Sequence, residues 1–197
     1  MNKITKIDND YIVLEATLNV MDMNEPYQNV NIEIYLEDID NEDIRINIGH
    51  ATLCLSMFDS IGYFHLNYFY LLLDLDCYVG VGNEIFNAIF IDGRYGTRIN
   101  KKLVPYYPNH EDFPKIFVLD KLVINPEYRD KNIGSVVLRQ LENAYGYGRL
   151  KVLKAFPLEE NGENYIGDDF SDKEKRLFRF YRRNGYKILK DGVFFKC

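Results

Sequence analysis

Alternation of apolar and polar residues dominates the first part of the chain. At 30–36 every second residue is apolar, and the alternation returns at 44–57. A period of two puts alternate side chains on one face, so both segments predict half-buried strands. The turn-forming residues at 38–43 lie between them, which predicts an antiparallel hairpin. A β-branched run at 11–20 predicts a further strand.

The period changes after this hairpin. Between residues 63 and 91 apolar side chains recur every three or four positions, with glycines near residue 81, so this stretch predicts two helices. A short apolar run at 116–124 predicts a buried strand, and residues 150–156 predict another. An apolar stripe at helical spacing lies between them, at 134–145. It consists of Val137, Leu138, Leu141 and Tyr145.

The C-terminal segment predicts a helix followed by a hairpin. Ser171 and Glu174 have the spacing of a capping box that opens a helix. The asparagine-glycine pair at 184–185 is a helix stop signal. Short apolar segments on either side of the aspartate-glycine pair at 191–192 predict a final hairpin.

These elements predict one α/β (α+β) domain over residues 1–197. The helix at 134–145 is expected to be a crossover, and such connections join parallel neighbours. The strands at 117–124 and 150–156 are therefore predicted to lie adjacent and parallel in a mixed, twisted sheet. Residues 1–115 form a divergent half with strands followed by two helices.

The polar loop that joins the strand at 116–124 to the next helix is suited to an anion. A helix N-terminus carries unpaired backbone N–H groups and a partial positive charge. Residues that are small or tolerate left-handed backbone let a phosphate approach those groups. Arg129 and Lys131 add positive charge, so the loop is built like a pyrophosphate cradle. It lacks the glycine spacing of a P-loop or a dinucleotide fingerprint.

Two segments resemble the GNAT-type N-acyltransferases. The run LVINPEYRDKNIGSVVLRQL is similar to the family signature R/Q-x-x-G-x-G/A. Arg129 matches its first position, Asn132 replaces its first glycine, and Gly134 matches its last position. Downstream, FYRRNGY at 180–186 looks like the family's FYxxxGF segment. The resemblance covers residues 116–197, in the same order of elements.

The resemblance implies an acyl-CoA-binding core in which a mixed sheet, flanked by helices, splays between two central parallel strands. Acetyl-CoA would be the co-substrate, and no metal is expected. The pantetheine arm would pair with Leu122, Val123 and Ile124. The pyrophosphate would bind the loop consisting of Arg129, Asp130, Lys131, Asn132, Ile133, Gly134 and Ser135. A primary amine would then attack the thioester directly.

Two residues are candidates for catalysis. Tyr181 matches the family tyrosine that protonates the departing thiolate, although its spacing also suits a core tyrosine. Asp120 lies two residues from Leu122, so regular alternation predicts that both side chains share a face. Its carboxylate could accept the amine proton, or it could form a salt bridge. His50, His65 and His110 are isolated and favour structural roles.

The charge distribution bears on the partners. Residues 1–120 carry 8 Lys and Arg against 19 Asp and Glu, whereas residues 121–197 carry 16 against 11. The acidic half favours a cationic amine as acceptor and argues against nucleic acid. The basic half suits an anionic ligand, although charge alone does not separate that interpretation from chance. The alternative function is a non-catalytic acyl-CoA-binding or interaction module.

Several classes of protein are disfavoured. The 3 cysteines form no CxxC pair and no cluster with histidine, so neither a zinc site nor a disulfide framework is predicted. No apolar segment has the length and purity of a membrane span. The sequence therefore predicts a cytoplasmic protein. It does not decide whether the protein forms a homodimer.

Overall fold

The computed structural model describes residues 12–18, 27–38, 41–56, 81–91, 99–107, 115–159 and 162–197. Within them the chain forms strands, helices and one 3-10 turn at Pro126–Tyr128. The strands are β1 (Ile12–Leu18), β2 (Tyr27–Asp38), β3 (Asn41–Ser56), β4 (Lys115–Ile124), β5 (Arg149–Lys154), β6 (Lys187–Lys190) and β7 (Val193–Lys196). The helices are α1 (Gly82–Ile89), α2 (Ile133–Tyr145) and α3 (Phe170–Arg183).

The strands form one mixed sheet of 7 strands in the order β1-β2-β3-β4-β5-β7-β6. β4 and β5 pair in parallel, from Lys115 opposite Arg149 to Leu119 opposite Leu153. The other pairings of the described strands are antiparallel. The predicted adjacency of β4 and β5 is thus confirmed, because α2 connects them as a crossover. The chain has a mixed α+β architecture.

The predicted hairpin of β2 and β3 is also confirmed. On β2, the apolar residues Val30, Ile32 and Ile34 are at most 1% exposed, whereas Asn31 and Glu33 are exposed. This alternation shows that residues 30–34 are buried on one face, whereas Tyr27, at the start of β2, is buried on the opposite face. The helix predicted before Gly80 lies outside the described residues, and the one predicted after it is α1.

Helices lie on both sides of the sheet. α2 and α3 pack on the face that carries Val30, Leu53 and Phe117. α1 and residues 99–107 pack on the opposite face, against Cys54 and Val118. The site described below lies where α2 begins, at the end of β4.

The predicted start of α3 is wrong. The helix begins at Phe170 after Asp169, and no side-chain cap is formed. Ser171 therefore lies inside the first turn. The reason is tertiary, since the Phe170 ring packs at 5.1 Å on Phe156 and the Asp169 carboxylate binds the Tyr165 hydroxyl. The predicted end of α3 is confirmed, with Asn184 as its C-cap.

Candidate functional site

The loop between β4 and α2 has an unusual backbone. Asp130 and Asn132 have φ angles of 59° and 62°, in the left-handed region. Asparagine and aspartate are the side chains that reach this region most readily. Asn132 is the N-cap of α2, so an asparagine supplies the conformation for which the family signature uses glycine.

This backbone leaves a series of free donors. The first hydrogen bonds of α2 run from Ser135 and Val136 to the Asn132 carbonyl, at 3.1 and 3.2 Å. The N–H groups of residues 130–134 donate to no acceptor in the described part of the chain. Consecutive N–H groups in a loop with left-handed residues form an anion-binding concavity, and the dipole of α2 adds positive potential. The site therefore fits a phosphate.

The basic side chains of the loop are held close to it. Arg129 Nε donates to the Ile124 carbonyl at 2.7 Å, which keeps the guanidinium at the end of β4. The Lys131 ammonium lies 5.4 Å from the centre of the Tyr128 ring. Both side chains are exposed, as is Asp130. An anion on the loop would lie beside two cations, the hydrogen-bonded guanidinium of Arg129 and the more mobile ammonium of Lys131.

β4 extends beyond the segment that pairs with β5. The parallel ladder ends at Leu119 and Leu153, but β4 continues to Ile124. Leu122, Val123 and Ile124 thus belong to a segment whose β5 side has no strand partner among the described residues. Such an edge offers backbone groups to an extended ligand.

A β-bulge separates the two parts of β4. Lys121 pairs with Thr52, and Leu119 pairs with Leu53, so Asp120 has no partner on β3. The extra residue shifts the alternation. Leu122 packs with the α2 side of the sheet. Asp120 alternates with Val118 of the opposite face, where burial and, second to it, the charge of Asp120 raise the pKa of the Cys54 thiol. The expectation that Asp120 and Leu122 share a face is therefore wrong.

The environment of Asp120 is only partly aqueous. Burial raises the pKa of its carboxyl, and the charge of Lys121 opposes that rise. On the same face, a Cβ placed on Gly162 would lie 3.1 Å from His50 Nε2 and 3.5 Å from Lys121 Cδ. The loop around Gly162 thus covers His50, which the sequence suggested was isolated.

Tyr181 lies in the core. It is 8% exposed, and its ring centre lies 5.8 Å from those of Tyr186 and Phe194. Burial raises the pKa of its hydroxyl. Tyr181 meets Phe194 because α3 lies against β7.

The start of α2 and the end of α3 are in direct contact. A Cβ on Gly134 would lie 3.4 Å from the Phe180 ring, so Gly134 lies directly against α3. Asn184 Nδ2 donates to Ser135 Oγ at 3.2 Å. The loop and the helix that carries Tyr181 are thereby held together.

Sequence reasoning missed Asn184, Glu142 and Lys196. Glu142 is buried on α2 and receives a hydrogen bond of 2.6 Å from Lys196. The signal for Glu142 was its position four residues after Leu138, on the apolar stripe. Asn184 was recognised only as a stop signal.

Among the described residues, no group of three or more His, Cys, Asp or Glu side chains is placed to hold a metal ion. No helix within that part of the chain combines the length and the apolar character needed to cross a bilayer.

No family model, no curated protein and no solved structure significantly matches this chain.

Proposed function

We propose that the protein is an acetyl-CoA-dependent N-acyltransferase of the GNAT type, with residues 116–197 as its acyl-CoA-binding core. The observation that carries the proposal is the row of free N–H groups at residues 130–134. It lies next to the part of β4 after Leu119, which pairs with β3 but has no described strand partner on its β5 side. A phosphate site beside an open strand edge suits a ligand that carries both a pyrophosphate and an extended amide-containing arm.

In this proposal, acetyl-CoA lies along the end of β4. Its pyrophosphate accepts hydrogen bonds from the loop amides, and Arg129 and Lys131 offset its charge. Its pantetheine arm pairs with the backbone of residues 122–124, as an added strand would. The thioester then lies close to the bulge at Asp120.

The proposed reaction is direct attack by an unprotonated amine. Asp120 takes the proton that the amine nitrogen releases once it has bonded to the thioester carbonyl carbon, because a carboxyl whose pKa is raised by burial is a better base than an exposed one. Tyr181 gives a proton to the departing thiolate. An acidic chain favours a cationic acceptor such as a polyamine or a lysine side chain.

The burial of Tyr181 favours a second candidate function. A side chain only 8% exposed and packed among aromatic rings is a good core residue, whereas an acid must reach the thiolate. A non-catalytic acyl-CoA-binding module would keep the loop and the strand edge without the acid.

The proposal is tested by measuring acetyl-CoA binding calorimetrically and then thioester consumption with a panel of amines. We expect binding that weakens with salt, and that weakens further in Lys131→Ala but not in Lys175→Ala, which removes an exposed lysine of α3 that pairs with Asp172. Binding together with turnover of at least one amine supports the transferase. Binding without turnover of any amine favours the module, and no binding contradicts both.

A further inference from the structure

The side-chain amide of Asn184 lies between two oxygens. Its Nδ2 is 2.9 Å from the Phe180 carbonyl and 3.2 Å from Ser135 Oγ. A carbonyl oxygen can only accept, so Phe180 determines which end of the amide is the nitrogen. Both amide hydrogens are then donated, and Ser135 Oγ is the acceptor in its bond with Asn184.

This polarity has a consequence for Ser135. A hydroxyl that accepts one hydrogen bond still has its own proton to donate. No acceptor in the described ranges takes that proton. Ser135 is therefore left as a donor, held by Asn184 from the other side.

Ser135 is well placed to act on the loop. It is the third residue of α2, counted from the N-cap Asn132. Its hydroxyl therefore belongs to the first turn of the helix whose N-terminal amides are free.

Asn184 is itself held firmly. Its backbone carbonyl accepts a hydrogen bond from Lys196 Nζ at 3.0 Å. Lys196 Nζ also donates to the carboxylate of the buried Glu142 at 2.6 Å. The backbone N–H of Asn184 donates to Phe180 and Tyr181 carbonyls at 3.2 and 3.1 Å. Contacts from α2, α3 and β7 thus determine where its amide lies.

We propose that Asn184 is a positioning residue that turns the Ser135 hydroxyl into a hydrogen-bond donor for the pyrophosphate of the bound coenzyme. Asn184 acts through Ser135 and does not touch the ligand. This inference rests on the proposed function, since the loop must hold a pyrophosphate.

The test compares the affinities for CoA and for pantetheine, which has the same thiol arm but no pyrophosphate. We expect Asn184→Ala and Ser135→Ala each to lower the ratio of the two affinities by about tenfold, as expected for one hydrogen bond to a charged group. The double variant should lower it no further, because both changes remove the same donor. Asn143→Ala, at an exposed position of α2, should leave the ratio unchanged.

The outcomes separate the two proposals. A wild-type protein that does not prefer CoA to pantetheine overturns the pyrophosphate site and this inference together. A preference that survives in Asn184→Ala, or losses that add in the double variant, overturns only the role of Asn184. If Asn184→Ala does not fold, the isosteric Asn184→Asp replaces it in the same cycle, since a carboxylate would take the Ser135 proton.

Discussion

The ammonium of Lys196 lies 2.6 Å from Oε2 of Glu142, whose side chain is 8% exposed. The second carboxylate oxygen of Glu142 has no hydrogen-bond partner in the described structure. Lys151 lies opposite Lys196 in the β5–β7 ladder, and burial lowers the pKa of Lys151. The Lys196 ammonium is thus the closest positive charge to the buried carboxylate of Glu142.

Removing Lys196 should therefore destabilise the fold. We expect Lys196→Met to lower the free energy of unfolding by about 3 kcal/mol, because it leaves a buried charge uncompensated. Lys175→Met is the control, since Lys175 pairs with Asp172 at the surface, and its loss should cost about 0.5 kcal/mol or less. Denaturant unfolding measures both values. Equal stability of the two variants would contradict the prediction.

Alkaline pH should destabilise the protein through its buried tyrosines. Burial raises the pKa of Tyr186 above the ordinary value of 10.0, and the charge of Glu142 adds to the rise. Because the folded-state pKa is the higher one, the stabilising contribution is complete below the unfolded-state value of about 10. It is lost as the pH rises from there toward the folded-state pKa.

Denaturant unfolding between about pH 8 and pH 11 tests this dependence. We expect the decline in stability above pH 10 to be shallower in Tyr186→Phe than in the wild-type protein. Tyr147, which is 93% exposed, provides the matched control, and Tyr147→Phe should keep the wild-type slope. An unchanged slope in Tyr186→Phe would show that this phenol ionises freely in the folded state.

The left-handed backbone of Asn132 should be required for coenzyme binding. Glycine adopts φ near 62° without strain, so Asn132→Gly should keep both the fold and the acetyl-CoA affinity. A β-branched residue is strained there by about 1–2 kcal/mol or more, so Asn132→Val should displace the amides and weaken binding strongly. Calorimetry on the two variants measures the difference. Equal affinities would exclude an amide site at this loop.

Tyr181→Phe separates catalysis from packing. The ring contacts remain, so stability should change little. If Tyr181 is the acid, turnover should fall about 10²-fold, near the lower limit for general acids because a thiolate is a good leaving group. The acetyl-CoA affinity should not change, since the proton is needed only in the transition state. Tyr186→Phe, which removes the neighbouring hydroxyl, is the control. Wild-type turnover by Tyr181→Phe at every pH would make Tyr181 a core residue alone.

Local patterns predicted much of the architecture. The alternation at residues 30–36 produced a strand with one buried face, because burial of every second side chain needs no information from distant residues. The apolar stripe at 134–145 produced a crossover helix, which is the connection that two parallel strands of one sheet need. The loop at 129–135 was predicted as an anion site from its residue types, and two of its residues have the left-handed backbone that such a site uses.

Other features depended on contacts between distant segments. Nothing near Asp120 in sequence signals a bulge, which arises from the register between β3 and β4. The start of α3 depends on the packing of Phe170 on Phe156 of a separate segment, against a capping pattern that was locally sound.

The amino-acid sequence by itself determined which segments are strands and helices and where a phosphate could bind, because those properties follow from local periodicity and from helix termini. Only the tertiary structure decided how far β4 and β5 stay paired, on which face Asp120 lies, and that Asn184 supports Ser135. Those properties depend on the register of strands and on side chains brought together from opposite ends of the C-terminal half, and local periodicity carries no information about either.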